Sequence, residues 1–147
     1  MYLKKIKKYI EENKSKFSKI IFTQFINNGK NNFVKLMDWH EMSKPPQSDI
    51  VDELAQLATK ENTVVKNSYS AFKNKGFRKI LKDNKIEEIW IAGINTEQCV
   101  FTTAIEAFDL GYKPVIISGL CRSSANAEWH ATAIKVMVDM IGEKQVV

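Results

Sequence analysis

WIAGINTEQCVFTTAIEAFDLGY, from Trp90 to Tyr112, decides the fold because it combines a strand pattern, a turn and a helix pattern in immediate succession. The apolar run at 89–92 is typical of a parallel strand that is buried on both faces, and Gly93 ends it. Thr96 is a suitable N-cap, and apolar residues then recur at helical spacing over 100–110. The segment therefore predicts a strand followed at once by a helix.

Cys99 falls in the first turn of this predicted helix, just beyond the carboxyl end of the strand. Unpaired backbone N–H groups and the positive end of the helix dipole favour a thiolate there. A thiolate can attack a carbonyl carbon. A buried structural cysteine is the alternative that this stretch alone leaves open, and it is the role predicted for Cys121.

Length and composition predict one α/β domain over residues 1–147, since 147 residues with 44% hydrophobic side chains can bury a core. No run of eighteen apolar residues is present, and no apolar segment follows the lysine-rich N-terminus. The two cysteines fit neither a metal-binding spacing nor a disulfide framework. We therefore expect a cytoplasmic protein without a membrane partner.

The positive charge is concentrated at the N-terminus, where residues 1–35 hold nine lysines against Glu11 and Glu12. One interpretation is an anionic partner such as nucleic acid. A solvated helix face explains the lysines better, because no arginine residues are interleaved with them. The prediction is therefore that nucleic acid is not a partner.

Elsewhere the chain alternates strand and helix patterns. Strands are predicted at 19–25, 63–66 and 113–118 and from 145 onward. Helices are predicted at the N-terminus, from 48 or 49 through 57 with its end at 61–62, at 77–83 and at 127–141. A long loop from 27 to 46 is predicted to begin with an asparagine-rich turn at 27–32. The last helix has a predicted inner face of Trp129, Ala133, Val136, Met137 and Met140. This alternation predicts a parallel sheet covered on both faces, with sites at the carboxyl ends of its strands.

Lys66 ends one predicted strand and is followed by a polar turn. A lysine held near a cysteine would favour the thiolate and offer a cation to a tetrahedral intermediate. An ordinary solvated lysine is the alternative.

Several segments carry a resemblance that covers nearly the whole chain. They are IFTQF at 21–25, VKNSYSAF at 65–72, IAGINTEQCV at 91–100, TA at 103–104 and GY at 111–112. Together they resemble the isochorismatase-like cysteine hydrolases, the family of nicotinamidases and related amidohydrolases. The resemblance implies a three-layer α/β/α sandwich around a parallel sheet of strand order 3-2-1-4-5-6. It also implies a hydrolase, without a cofactor, that cleaves an amide C–N bond of a small molecule through a thioester.

The resemblance also implies roles for individual residues. Cys99 matches the nucleophile and Lys66 the lysine of an Asp-Lys-Cys triad. The link between Ile94 and Asn95 falls where the family has a non-proline cis peptide, and the Cys99 N–H would complete an oxyanion hole. Aromatic side chains are expected to line the pocket for a flat amide, although all of them are equally suited to core positions. They are Phe25, Trp39, Tyr69 and Phe72, with Phe33 beside them.

The sequence departs from the family pattern at its start. The family's triad aspartate ends a first strand, whereas here the sequence opens on the first helix, so that the first strand is expected to be absent. We expect either that the strands ending near Phe25 and near Ala92 pair directly, or that a partner chain or an upstream segment fills the gap. The alternative function is a catalytically weakened homologue that serves as a ligand-binding or oligomerisation module.

Two further expectations follow from the resemblance. Family members are commonly dimers or tetramers, so a homo-oligomer is expected. Asp38-Trp39-His40 is superficially similar to a pattern of metal-dependent nicotinamidases, but its surroundings are similar to those of metal-free members. No metal is therefore predicted.

Overall fold

The computed structural model describes all 147 residues and divides them into two compact units, Met1–Ser68 and Tyr69–Val147. Each unit contains helices and one two-stranded parallel sheet, which confirms the α/β class. The assignment of the chain to a single domain stays a prediction. None of the helices is long and apolar enough to cross a bilayer.

The first unit holds three helices and two strands. They are α1 (Tyr2–Asn13), β1 (Phe22–Phe25), α2 (Asn32–Met37), α3 (Asp52–Ala55) and β2 (Thr63–Lys66). β1 and β2 are parallel, and Phe25 lies opposite Lys66 at their carboxyl ends. Both strands are four residues long, so that β1 is shorter than the predicted strand over 19–25.

The long loop predicted from 27 to 46 contains a helix, α2. The Asn31 side chain accepts a hydrogen bond from the Val34 N–H, and Asp38 ends the helix with a left-handed φ of 51°. The asparagine-rich segment 27–32 is predicted to be a turn, but Asn31 is an N-cap, which is a role asparagine fills equally well. The helix predicted to run from 48 or 49 to its end at 61–62 is only the four-residue α3.

The second unit holds three helices and two strands. They are α4 (Lys75–Asp83), β3 (Glu88–Ile94), α5 (Phe101–Asp109), β4 (Lys113–Arg122) and α6 (Ala127–Ile141). β3 and β4 are parallel, with an irregular register between Ile91 and Gly93. β4 extends four residues beyond the predicted end at 118. The strand predicted from 145 is reduced to one bridge between Ile116 and Val146.

The structure of β3 contradicts two predictions. It was predicted to be buried on both faces, but burial alternates along it: Ile91 packs against the core, whereas Trp90 and Ile94 are 40% and 57% exposed. The direct pairing expected between the strands ending near Phe25 and Ala92 is also wrong, because β1 pairs only with β2 and β3 only with β4.

The core of the second unit joins α5, α6 and β4. Its buried members are Val100, Ala104, Ile116, Cys121, Met137 and Ile141. The predicted inner face of α6 is correct for Ala133 and Met137 and wrong for Trp129, Val136 and Met140, which are exposed. Apolar residues occupy more than one face of α6, so periodicity alone could not identify which face is buried.

Candidate functional site

Cys99 lies in a wide turn rather than in the first turn of an α-helix. Residues Thr96–Val100 form a single π-helical turn that leads directly into α5. The Asn95 carbonyl accepts hydrogen bonds from the N–H groups of Gln98 at 3.1 Å and Val100 at 3.2 Å. Such π-turns are frequent at functional sites. The turn follows β3 directly and leaves Cys99 partly exposed.

Thr96 anchors this turn instead of capping a helix. Its side chain is fully buried, and its hydroxyl lies 2.8 Å from Nδ1 of His130 on α6. Asn95 takes the N-cap position, without a capping hydrogen bond from its side chain. The start of the turn is therefore fixed by a residue that is distant in sequence.

A second set of hydrogen bonds ties the same turn to the segment between β4 and α6. The Ser123 hydroxyl donates to Glu97 Oε1 at 2.8 Å, and the Ser124 N–H donates to Asn95 Oδ1 at 2.9 Å. Glu97 Oε2 is buried without a hydrogen-bond partner. Three successive side chains just before Cys99, those of Asn95, Thr96 and Glu97, are thus held in place, which supports the fixed position that a nucleophile requires.

The backbone that enters the turn has the geometry implied by the resemblance. The peptide bond between Ile94 and Asn95 is cis. The Asn95 amide nitrogen Nδ2 also donates to Gln98 Oε1 at 3.1 Å. Ile94, Asn95 and Cys99 therefore lie within one short segment at the carboxyl end of β3.

Cys121 occupies a very different environment. Its side chain is 6% exposed within the core, and its sulfur lies 3.9 Å from the Ile91 carbonyl. Burial raises the pKa of the Cys121 thiol to about 11, against a smaller opposing effect of a hydrogen bond to the Gly93 backbone. The thiol is therefore protonated near neutral pH, as expected of an inert cysteine.

Lys66 is a buried cation at the carboxyl end of β2. Its side chain is 6% exposed, so the solvated alternative is wrong. Nζ donates to the Ser68 carbonyl at 2.7 Å and lies 5.3 Å from the centre of the Phe25 ring. The hydrogen bond and the aromatic ring together hold the ammonium group in one position.

The predicted pocket residues of the first unit lie together. The Phe25 ring centre is 5.8 Å from that of Trp39, and both pack against Phe33. With Lys66 they form a group that combines a cation with three aromatic faces.

The predicted pocket residues of the second unit differ in exposure. Tyr69 is half-buried, whereas Phe72 is only 1% exposed and packs against Phe77 and Tyr112. Phe72 is therefore a core residue of this unit.

Asp38 and His40 contact each other rather than other acidic or metal-ligating residues. Asp38 Oδ1 lies 2.9 Å from His40 Nε2, and the two side chains are 95% and 65% exposed. Across the chain, no three His, Cys, Asp or Glu side chains are grouped so that they could hold a metal.

Local sequence patterns do not indicate which residues hold the Cys99 turn. His130 lies in the helix predicted at 127–141 and Glu97 follows the predicted N-cap Thr96, and neither position indicates a tertiary hydrogen bond. Residues 118–124 lie at the carboxyl end of the strand predicted at 113–118, where sites are expected, and they include Ser123. A polar residue at position 123 is the signal that the sequence offers. Its hydrogen-bond partner, Glu97, cannot be inferred from the spacing of the two residues.

Comparison with known proteins identifies relatives over part of the chain. It is 32% identical over 77 residues to the uncharacterized isochorismatase family protein PncA of Bacillus subtilis, a match that covers 52% of this chain and 42% of that protein. It is 40% identical over 68 residues to a nicotinamidase of Escherichia coli, covering 42% of this chain and 32% of the relative. The chain thus spans less than half the length of the curated relatives it matches.

A solved structure and a family model extend the similarity over the whole fold. The crystal structure of nicotinamidase/pyrazinamidase PncA from Bacillus subtilis superposes with a TM-score of 0.84 at 23% identity, covering 99% of this chain and 84% of that one. This confirms an isochorismatase-like α/β fold. The family model described as the isochorismatase domain matches residues 1–145. The chain therefore belongs to the isochorismatase domain family.

Proposed function

We propose that this protein hydrolyses the C–N bond of a small amide through a thioester on Cys99. The observation that carries the proposal is the position of Cys99, partly exposed in a π-turn that hydrogen bonds hold at the carboxyl end of β3. The relatives support the same reaction class, since one of them is a nicotinamidase.

The reaction has two steps. The Cys99 sulfur attacks the carbonyl carbon, an S–C bond forms, and the C–N bond breaks as the leaving nitrogen takes up a proton. Water then attacks the thioester carbonyl, which releases the carboxylic acid and returns the proton to sulfur. Backbone N–H groups of the segment holding Ile94, Asn95 and Cys99 would stabilise the oxyanion formed in each step.

Lys66 is proposed to be the cation that assists this chemistry. Its ammonium group is buried and fixed by the Ser68 carbonyl. A buried cation stabilises developing negative charge more strongly than one in water, because the local dielectric constant is low. The residue can also supply a proton to the leaving nitrogen.

The aromatic residues favour a flat amide as the substrate. Phe25 offers an apolar face beside the Lys66 cation, and Trp39 packs against Phe25. Nicotinamide, a flat aromatic amide, is the first substrate to test.

Ammonia release from a panel of amides that includes nicotinamide tests the proposal. We expect turnover by the wild type, its complete loss in Cys99→Ala, and a loss of about 10²- to 10⁴-fold in Lys66→Met, the range typical of a lost proton-transfer group. Cys121→Ala is the matched control and retains activity. Absence of turnover with every amide would favour the alternative of a ligand-binding homologue. Full activity of Cys99→Ala would show that Cys99 is not the nucleophile.

A further inference from the structure

The segment that follows β1 forms a compact loop whose two ends meet. The Asn27 N–H donates to the Met42 carbonyl at 2.9 Å, and α2 lies between these two residues. We call residues 27–42 the Asn27 loop. Compact loops with neighbouring ends, packed by their own side chains, are frequently functional. This loop carries Phe33 and Trp39, two of the three aromatic residues that pack together beside the buried lysine of β2.

The Asn27 side chain lies inside this loop. It is 3% exposed. Its Oδ1 accepts hydrogen bonds from the Gly29 N–H and from Asn31 Nδ2, both at 3.1 Å, and its Nδ2 donates to the Trp39 carbonyl at 2.9 Å. A buried amide with partners on both its oxygen and its nitrogen is fixed in orientation. Asn27 therefore links the start of the loop to Trp39, which is 12 positions further along the chain.

Hydrogen bonds fix both backbone polar groups of Trp39. Its N–H donates to the Phe33 carbonyl at 2.9 Å, and its carbonyl accepts from Asn27. The centre of its ring lies 5.8 Å from that of Phe25 and 5.6 Å from that of Phe33, and all three side chains are partly exposed. Aromatic contacts depend on the offset and tilt of the two rings. The Asn27 amide therefore helps to determine which ring Trp39 can contact, and in what orientation.

We propose that Asn27 is a positioning residue that gives the site a preference for aryl amides over alkyl amides. Asn27 is buried and acts through Trp39, whose ring can contact the ring of an aryl amide and has no such contact with an alkyl amide. The proposal rests on the proposed function for the reaction. The preference itself is a property of binding, so it can be measured without turnover.

Asn27→Asp breaks the link to Trp39 while keeping the size of the side chain. The carboxylate retains the oxygen that accepts from Gly29 and Asn31, but it places a second oxygen against the Trp39 carbonyl. For nicotinamide we expect KM to rise about threefold to tenfold and kcat to change by less than about twofold, because the lost aromatic contact is equally strong in the ground state and the transition state. For acetamide neither constant should change.

Asn28→Asp is the matched control for this variant. It makes the same chemical change, with the same added charge, at an exposed neighbour. The Asn28 Oδ1 accepts a hydrogen bond from the Lys30 N–H at 3.0 Å, which the aspartate can retain. The control should therefore leave the kinetic constants for both substrates unchanged.

A double variant tests whether Asn27 acts through Trp39. Trp39→Ala should lower the ratio of kcat/KM for nicotinamide to kcat/KM for acetamide, and the addition of Asn27→Asp should lower this ratio no further. Additive losses would overturn the proposal. So would an unchanged ratio in Asn27→Asp, or an equal loss in Asn28→Asp.

A second variant decides the matter if Asn27→Asp does not fold. Asn31→Ser keeps an N-cap for α2, since serine caps as well as asparagine does, but it removes the Asn31 Nδ2 donor that orients the Asn27 amide. The same ratio should then fall by at least about twofold, as expected for the loss of one hydrogen bond. An unchanged ratio in Asn31→Ser would overturn the proposal.

Calorimetric binding distinguishes this proposal from the proposed reaction. The affinity for nicotinamide is measured in Cys99→Ala and in Cys99→Ala/Asn27→Asp, where no turnover is needed. An affinity about threefold to tenfold weaker in the double variant supports the role of Asn27 even if no amide is hydrolysed. Equal affinities, or no binding of nicotinamide to Cys99→Ala, would overturn that role even if the wild type is an amide hydrolase.

Discussion

The two cysteines of this chain show how environment, rather than residue type, determines reactivity. Cys99 is partly exposed in a turn that hydrogen bonds hold at the end of a strand, and Cys121 is buried among apolar side chains. Burial of Cys121 shifts its thiol pKa upward, so its reactive thiolate forms only at a pH far above neutrality. The same structure therefore predicts opposite behaviour for the two thiols.

Alkylation with iodoacetamide at pH 8 is expected to modify one thiol per chain, at Cys99. With a pKa of about 11, Cys121 would be a thiolate in only about one molecule in a thousand at that pH. Cys121 should become labelled only as the pH approaches 11, because its thiol loses the proton there. Peptide mass spectrometry locates the label.

Two variants serve as controls for the alkylation experiment. Cys99→Ala should abolish labelling at pH 8, and Cys121→Ala should leave it at one label per chain. Equal labelling of both cysteines in the folded wild type would contradict the assignment of Cys121 to the core.

At the scale of the element, the π-turn depends on α6 for its position. The hydrogen bond between Thr96 and His130 joins residues 34 positions apart, and it replaces the local cap that the sequence predicted at Thr96. A buried hydroxyl that loses its partner is costly, whereas replacing both partners by apolar groups is nearly neutral. The turn and the helix should therefore be energetically coupled.

Thr96→Val or His130→Phe alone should lower the free energy of unfolding by about 1–3 kcal/mol, because each leaves the other polar group without this partner. The double variant should lose clearly less free energy of unfolding than the sum of the losses in the two single variants. Urea denaturation of the four proteins gives the coupling energy, for which about 0.5–3 kcal/mol is expected for residues in contact. Strictly additive costs would show that the hydrogen bond does not hold the turn.

The elements differ in how far the sequence alone could predict them. The bounds of α6 and the position of Lys66 at the end of β2 are confirmed, because strong periodicity and strand-ending polar residues indicate both. α2 was missed because Asn31 suits a turn and a helix cap equally well. The π-turn was missed because its width depends on tertiary hydrogen bonds, which local patterns do not contain.

At the scale of the whole molecule, similarity of sequence predicted more than periodicity did. Short motifs around Lys66 and Cys99 indicated a family that the match over residues 1–145 confirms. Periodicity alone assigned Trp129 and Met140 of α6 to the core, although both are exposed. An apolar pattern identifies residues that can be buried, but burial also depends on which neighbours the fold supplies.

The core of the second unit provides a prediction about stability. Met137 is fully buried, so Met137→Ala should lower the free energy of unfolding by about 2–5 kcal/mol through lost contacts and the cavity that remains. Met37→Ala makes the same chemical change at a position that is 61% exposed. This variant should alter the free energy of unfolding by less than about 0.5 kcal/mol. Urea denaturation compares the two variants. Equal losses of free energy of unfolding would contradict the assignment of Met137 to the core.

Trapping the thioester tests the central claim, that Cys99 is the nucleophile of an amide hydrolase. Nicotinamide is mixed with the wild-type protein, the reaction is quenched in acid during turnover, and the peptides are analysed by mass spectrometry. We predict a nicotinoyl group on the peptide that contains Cys99, its absence in Cys99→Ala, and no acyl group on Cys121. Ammonia release without an acyl group on Cys99, or with the acyl group on another residue, would contradict the account.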